Sequence, residues 1–299
     1  MDNELHKTPA TGTSRTRQAM VFAAGLGTRL KPLTDTMPKA LVPVCGQPLL
    51  YHVLTKLTKA GYHDIVVNVH HFPEQIRNYL AITPFDANIR ISDESALLRE
   101  TGGAIRYAAP LLGYASSREA QGTQQTVGGA GVSEANGVSP TPVHPVTSTT
   151  PEPVLVHNVD IISDLDLEWL RAQHREGALA TLLVSERRTQ RYFLFDDGMR
   201  LVGWTNIATG EVRSPYGAID PEKYRKLAFS GIHLLSPAVF PLMETWPERF
   251  PIVDFYLKTC AEHPIYGAVP EKLQMVDVGK METLSQAERV AEAILSEKN

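Results

Sequence analysis

The 299-residue sequence has two cysteines, Cys45 and Cys260, and neither belongs to a CxxC pair or a metal-ligand spacing. A disulfide-rich scaffold is excluded. One bridge between the two stays open, but two free thiols in a reducing, cytoplasmic setting is the simpler expectation. Basic excess is absent too: 29 Lys and Arg stand against 33 Asp and Glu, a net charge of −4. Neither a nucleic-acid-binding nor a membrane-binding surface is therefore expected. No apolar run reaches the length of a membrane span. Residues 1–18 lack the apolar segment of a signal peptide and read as a disordered polar tail. No internal repeat is present, and no hexapeptide repeats that would announce a β-helix. With 43% apolar residues, the remainder can still bury a sizeable core.

Against these absences one stretch stands out, VFAAGLGTRLKPLTDTMPKALVPVCGQPLL at residues 21–50. It opens as a buried strand and breaks at Gly25-Leu26-Gly27-Thr28-Arg29-Leu30. Glycines let the backbone turn and approach a ligand closely, and successive amides in such a turn can cradle phosphate oxygens. Arg29 and Lys39 add two cations suited to pyrophosphate. The loop is not a Walker A motif, because no GK[ST] follows. It is not the dinucleotide fingerprint either, since Leu30 occupies the third glycine position. GxGTRL followed by PKxLVPV resembles the signature loop of the sugar-1-phosphate nucleotidylyltransferases.

Taken in order, the apolar periodicity predicts a helix over 48–61 opened by Pro48, a strand over 64–69, a helix over 73–82, a strand over 89–92 and a helix over 104–112. This β-α alternation predicts an α/β domain with a doubly wound, mostly parallel sheet. The pattern stops over 113–152, a Gly/Ser/Thr/Pro-rich segment that reads as a disordered insertion. It resumes with a strand over 153–157, a helix over 167–175 capped by Asp164 or Asp166, and a strand over 180–184. A hairpin over 193–204 turns at Asp196-Asp197-Gly198. A strand over 227–235 follows, then helices over 237–243 and 253–261, a last strand over 273–278 and a helix over 282–295. The expectation is one domain, 19–299, carrying the insertion.

Asp160 and Asp277 each follow an apolar run and should lie at the carboxyl edge of the sheet, where open α/β sheets bind ligands. Two such carboxylates make a plausible Mg²⁺ clamp, though turn or cap roles are equally ordinary for Asp. The resemblance implies more. It implies a Rossmann-like, mixed sheet of the nucleotide-diphospho-sugar transferase (GT-A-like) fold, with Mg²⁺ as cofactor and a nucleoside triphosphate and a sugar 1-phosphate as partners. Asn158-Val159-Asp160 is similar to the family's NGD, and Asp277-Val278-Gly279-Lys280 to its second aspartate motif, which makes both aspartates implied metal ligands. Ala23, Ala24, Gly25, Gly27, Thr28, Glu94 and Gly102 are implied nucleotide contacts. Asn158, Ser230 and Gly231 are implied sugar contacts. UTP with N-acetylmuramate 1-phosphate is the favoured substrate pair, in cell-wall or surface-polysaccharide supply. Mannose 1-phosphate with GTP, phosphocholine with CTP, and a non-catalytic nucleotide-sugar sensor are alternatives.

Three departures mark the sequence, the mildest being Ala40 in Pro38-Lys39-Ala40-Leu41 where the family has PKPL. Val159 replaces the glycine of NGD, and the family's EKP segment is missing, with Val202-Gly203-Trp204-Thr205-Asn206 in its place. The cation for the sugar phosphate must therefore come from Arg187, Arg188, Arg213, Lys226 or Lys280. His70-His71 reads as a loop pair, Trp169 and Trp246 as packing residues, and residues 186–191 as a solvated turn. Oligomeric state is left open.

Overall fold

The computed structural model describes residues 16–114 and 152–296. In chain order, β1 (Arg17–Phe22) runs into the glycine loop, and β2 (Pro43–Val44) with β3 (Gln47–Pro48) leads to α1 (Leu49–Lys59). Then come β4 (Tyr62–Val69), α2 (Pro73–Ile82), β5 (Asn88–Asp93) and α3 (Glu100–Ala108). After the gap follow β6 (Val154–Asn158), β7 (Ile161–Ser163), β8 (Ala180–Ser185), β9 (Arg191–Phe195), β10 (Leu201–Asn206) and β11 (Glu211–Arg213). The last strands are β12 (Arg225–Leu235), β13 (Ile265–Ala268) and β14 (Met275–Asp277), with helices at Leu167–Ala172, Val239–Met243, Ile252–Thr259 and Met281–Ser296.

Strands β5, β4, β1 and β6 pair in parallel, β12 runs antiparallel between β6 and β8, and β13 adds in parallel to β8. One reversed strand thus sits in an otherwise parallel sheet. The front part of β12 also carries the β9–β10–β11 meander. The central strands are apolar on both sides because both are covered. Val21 and Val67 join α1 in one core, whereas Met20, Val66 and Val156 join α3 and the helix Ile252–Thr259 in the other. In α1 the buried positions Leu49, Leu50, Val53, Leu54 and Leu57 form a single stripe. Truncating one of these leucines to Ala should cost about 2–5 kcal/mol.

Several boundaries move for local reasons. Pro48 is extended (ψ 147°) and precedes the helix rather than opening it. Arg17 and Gln18, assigned to the tail, are the first residues of β1. Asp166, not Asp164, caps its helix, accepting from Glu168 N. Helix α3 starts at Glu100, four residues before the expected position, because Gly102 and Gly103 are needed inside it for packing. A Cβ on Gly102 would stand 2.2 Å from Phe250 Cε2, and one on Gly103 2.3 Å from Glu248 O. The strands β11 and β13 escaped the periodicity because they are short and β13 contains Gly267. The rest of the tail and nearly all of the insertion lie outside the described residues. At the edges of that gap, Tyr114 stacks on Phe240 at 4.1 Å and Glu152 pairs with Arg171 at 3.0 Å. Among the described residues both cysteines are free thiols, and no helix is long and apolar enough to cross a membrane.

Candidate active site

The glycine loop is held from below by one side chain. Ala23 N and Ala24 N both donate to Asn68 Oδ1, at 2.7 and 3.3 Å. Asn68 Nδ2 in turn donates to Glu94 Oε1 at 2.8 Å, and Glu94 Oε2 accepts from Arg99 N at 3.1 Å. The amides of Ala23 and Ala24 are therefore occupied within the protein, where they fix the start of the loop. Burial pushes the Glu94 carboxyl above its ordinary range, against the pull of these donors. Asn68 was missed, although a lone asparagine inside the apolar run Ile65–Val69 was its signal.

The two glycines of the loop have different reasons. At Gly25 a Cβ would meet nothing within 4 Å, so its backbone is open. Gly27 has φ 64°, and a Cβ there would lie 2.8 Å from Thr34 Cγ2 and 3.1 Å from Lys39 Cβ. Only glycine fits such a site. Thr28, Arg29 and Leu30 then form a short 3-10 turn, closed by Leu30 N donating to Gly27 O at 2.8 Å. This turn leaves Arg29 exposed.

Lys39 does not face solvent as its partner does. Only 9% of it is exposed, and its ammonium donates to Asp160 Oδ2 in an ion pair. Asp160 follows β6, while Asp277 ends β14, far along the chain. They meet because β14 and β7 form a separate two-stranded ribbon in which Asp277 stands opposite Ile161 and Val278 N donates to Asp160 O at 2.8 Å. A Cβ on Gly279 would lie 2.6 Å from Asp277 Oδ1 and 3.0 Å from Arg29 Nη2, so the guanidinium and the carboxylate flank the same glycine. Burial raises the Asp277 carboxyl above its ordinary range and the charge on Asp160 raises it further; Lys39, Arg29 and Arg187 pull the other way. Val159 turns its side chain into the core, 4% exposed, and donates its amide to Phe22 O at 3.1 Å.

Two adjoining clefts flank these charges. The first, ≈ 280 Å³, is lined by Ala23, Ala24, Gly25, Lys39, Asn68, Glu94, Leu98, Glu100, Val159 and Asp160. The second, ≈ 370 Å³, is lined by Ile161, Arg187, Phe229, Ser230, Gly231, His233, Ile252, Val253, Met275 and Asp277. Phe22, Thr101 and Asn158 line both. Gly27, Thr28, Arg29 and Gly102 line neither. For Gly102 the amide is occupied by Phe250 O at 2.9 Å, and the ring of Phe250 fills the space a side chain would need. Its neighbour Thr101 lines both clefts, and sequence reasoning passed over it.

The second cleft owes its shape to a break in β12. Between Phe229 and His233 the pairing with β8 slips, and Gly231 takes φ 73°. A Cβ on Gly231 would lie 2.5 Å from Asn158 Nδ2, so the glycine admits the asparagine. Ser230 Oγ is buried there without a hydrogen-bond partner. Of the five candidate cations, Arg187 alone lines this cleft, and it donates to Phe229 O at 2.9 Å. The turn read as solvated thus reaches the site. Arg213 instead pairs with Asp254 at 2.7 Å and Lys226 with Glu222. His70 is a loop residue, bonded through Nδ1 to Glu94 O at 2.7 Å.

Residues 18–120 match the nucleotidyl transferase family. The chain is 47% identical over 98 residues to an N-acetylmuramate alpha-1-phosphate uridylyltransferase of Caulobacter vibrioides, covering 32% of this chain and 40% of that one. It is 44% identical over 97 residues to the protein of the same name from Neisseria meningitidis, covering 32% and 42%. The matched stretch thus spans about two fifths of those relatives. A longer match, 25% identical over 273 residues, reaches the mannose-1-phosphate guanylyltransferase catalytic subunit beta of Drosophila pseudoobscura pseudoobscura, covering 89% of this chain and 58% of that one. Among solved structures, HddC from Yersinia pseudotuberculosis superposes with a TM-score of 0.62 at 17% identity, over 91% of this chain and 98% of that one. A UDP-glucose pyrophosphorylase complexed with UDP-glucose does so with a TM-score of 0.63 at 15% identity, over 95% and 100%. The fold is that of the nucleotide-diphospho-sugar transferases.

Proposed function

We propose that the protein is a sugar-1-phosphate nucleotidylyltransferase, joining a nucleoside triphosphate to a sugar 1-phosphate with release of pyrophosphate. The observation that carries this reading is that the Lys39–Asp160 ion pair lines the first cleft and Asp277, flanked by Arg29, lines the second, while the two clefts share Phe22, Thr101 and Asn158. A reaction between two bound anions needs two adjacent sites with cations and carboxylates at their junction. The sugar phosphate oxygen attacks the α-phosphorus, the bond to the β-phosphate oxygen breaks, and pyrophosphate leaves. The nucleophile is already an anion, so no general base is required. Positioning and charge stabilisation are the whole catalytic task.

The first cleft takes the nucleotide, with Gly25 offering open backbone and Glu94 and Asn68 holding the loop beneath the base. Arg29, exposed at the turn, steadies the charge that develops on the pyrophosphate. Lys39 holds Asp160 in place and brings its own charge to the junction. In the second cleft, Arg187 is the cation for the sugar phosphate, and Asn158 and the unpartnered Ser230 hydroxyl meet the sugar. Asp160 and Asp277 fit Mg²⁺. They are hard oxygen donors on neighbouring strand ends, and burial first, then the charge on Asp160, raises the Asp277 carboxyl, both of which a shared divalent cation would offset. When bound, Mg²⁺ would neutralise charge on the phosphate oxygens. No group of three or more metal-binding side chains occurs among the described residues. Substrate oxygens and water would therefore complete its shell, as is usual for this ion.

UTP with N-acetylmuramate 1-phosphate is the favoured pair, supported by the names of two relatives at 47% and 44% identity over about a third of the chain; mannose 1-phosphate with GTP is the runner-up. Use in cell-wall or surface-polysaccharide supply, in the cytoplasm, belongs to the same proposal. A phosphocholine acceptor is disfavoured. The aromatic residues that could enclose a quaternary ammonium are engaged elsewhere: Tyr192 accepts from Thr189 N, Trp204 lies under Arg213, and Tyr216 bonds Cys260 O. The test is pyrophosphate release over a matrix of four nucleoside triphosphates against sugar 1-phosphates and phosphocholine. Release with at least one sugar 1-phosphate is expected, dependent on Mg²⁺. Nucleotide-sugar binding without release from any pair would leave a sensor.

A further inference from the structure

The second cleft contains a histidine that the chemistry above does not use. His233 lines it, although only 1% of the residue is exposed. Its Nδ1 lies 2.6 Å from the hydroxyl of Tyr256, which is itself fully buried. Burial pushes the phenol well above its ordinary pKa and pulls the imidazole down to about 3, so both stay neutral at working pH. The phenol must then donate to Nδ1. If the ring donated instead, the phenol proton would be left without an acceptor in a dry interior, at a cost of about 1–3 kcal/mol. With Nδ1 accepting, the ring proton resides on Nε2.

The cleft has a polar part, with Thr101, Asn158, Arg187, Ser230 and Asp277, and an apolar part. Phe229 stands 5.3 Å away, centroid to centroid, and Ile252 and Val253 line the same cleft. A hydroxyl placed between the histidine and Phe229, Ile252 and Val253 could accept from the ring, but its own proton would face those apolar side chains. An acyl carbonyl is acceptor-only, and its methyl group suits that wall. We infer that His233, fixed as an Nε2–H donor by Tyr256, selects sugar 1-phosphates bearing an acylamino substituent over the corresponding plain hexose 1-phosphates. This rests on the second cleft being the acceptor site. In it His233 is a specificity residue that touches the sugar substituent, and Tyr256 is the positioning residue behind it.

The test compares kcat/KM for N-acetylglucosamine 1-phosphate with that for glucose 1-phosphate, at saturating nucleotide, in the wild type and in H233F, H233Q and Y256F. The wild type should favour the acylated sugar at least about tenfold, the value of one well-made hydrogen bond. H233F keeps an aromatic ring against Phe229 and should bring the ratio close to one, chiefly by raising KM for the acylated sugar. H233Q, whose amide nitrogen can stand where Nε2 stood, should retain most of the preference. Y256F frees the tautomer and should give an intermediate ratio. A ratio unchanged in H233F, an equal loss on both sugars, or a wild type that prefers glucose 1-phosphate overturns the proposal while leaving the acceptor site intact. Absence of turnover by the wild type with every sugar 1-phosphate removes the acceptor site itself. If H233F does not fold, the ratio in Y256F decides.

Discussion

The two clefts share a wall, yet they are built differently. The first is a backbone device: small residues after β1, an open glycine at Gly25, and a loop pinned by Asn68 from the adjacent strand. Its parts come mostly from one stretch of chain and the two strands beside it. The second is a side-chain device, drawn from residues 158–161, 187, 229–233, 252–253 and 275–277. Chain parts far apart in sequence meet there only because β12 breaks at Gly231 and the β7–β14 ribbon brings the last strand back. A backbone site leaves little to side chains: at Gly25 the main chain itself lies open in the cleft. A side-chain site can be retuned by single substitutions without moving its frame.

That contrast can be broken first at the junction. D277N and D160N should each lower Mg²⁺-dependent turnover by about 10³-fold, since an amide is a poor ligand for so hard a cation and the charge is lost where it is needed. Near wild-type steady-state rates in either variant would remove the metal clamp. Next come the cations. R29A and K39A should each cost about 10²-fold in turnover. Their stabilities should differ, because Arg29 is exposed whereas Lys39 and Asp160 retain only 11% and 17% of their side-chain exposure. R29A should melt like the wild type. K39A, leaving Asp160 beside Asp277 without its partner, should lose about 1–3 kcal/mol at neutral pH. Equal melting temperatures for the two would contradict the burial of the pair.

At Gly102 the comparison becomes a question of packing against binding. G102A should destabilise by about 1–3 kcal/mol through overlap with Phe250. Adding F250L should restore part of this, a coupling that a double-mutant cycle reads directly. If instead G102A folds with wild-type stability and loses only affinity for nucleotide, the glycine belongs to the site.

A smaller, graded effect sharpens the picture of the second cleft. Burial lowers the imidazole pKa values of His157 to about 4 and His233 to about 3. A base whose folded-state pKa is depressed contributes stability above its unfolded pKa and loses it as pH falls, because the unfolded chain takes up the proton first. Stability should therefore decline from about pH 6.5 down to about pH 4, by at most about 1.4 kcal/mol per pH unit for each histidine. H233F should flatten that slope by the share of one proton, measurable by denaturant unfolding at several pH values. An unchanged slope would mean that the ring is not dry.

Much of this was legible where local physics speaks. The strand–glycine–helix opening, the α/β alternation and the strand-end positions of Asp160 and Asp277 follow from periodicity and composition. Boundaries slipped where tertiary packing overrode local preference, as at Gly102 and Gly103, which would end an isolated helix but here admit Phe250 and the Glu248 carbonyl. Arg187 could not be singled out among five basic residues, since only the break in β12 brings the Phe229 carbonyl within its reach. His233 was invisible for the same reason: in the sequence it is one polar residue in an apolar strand, and its tautomer is set by a tyrosine on a separate helix. Asn68 is the exception, a buried polar residue whose oddity was readable in the run itself.

The ribbon of β7 and β14 also sets a timetable. A chain leaving the ribosome carries every residue of the first cleft once Asp160 has emerged, but Asp277 follows well over a hundred residues later. Until β14 lies against β7 and Val278 reaches the Asp160 carbonyl, the acid pair does not exist. Glu100 and Thr101 in the first cleft wait as well, because their helix is tied to the carbonyl of Phe250 and the amide of Ile252. The last strand to be made is the one that brings the two aspartates together.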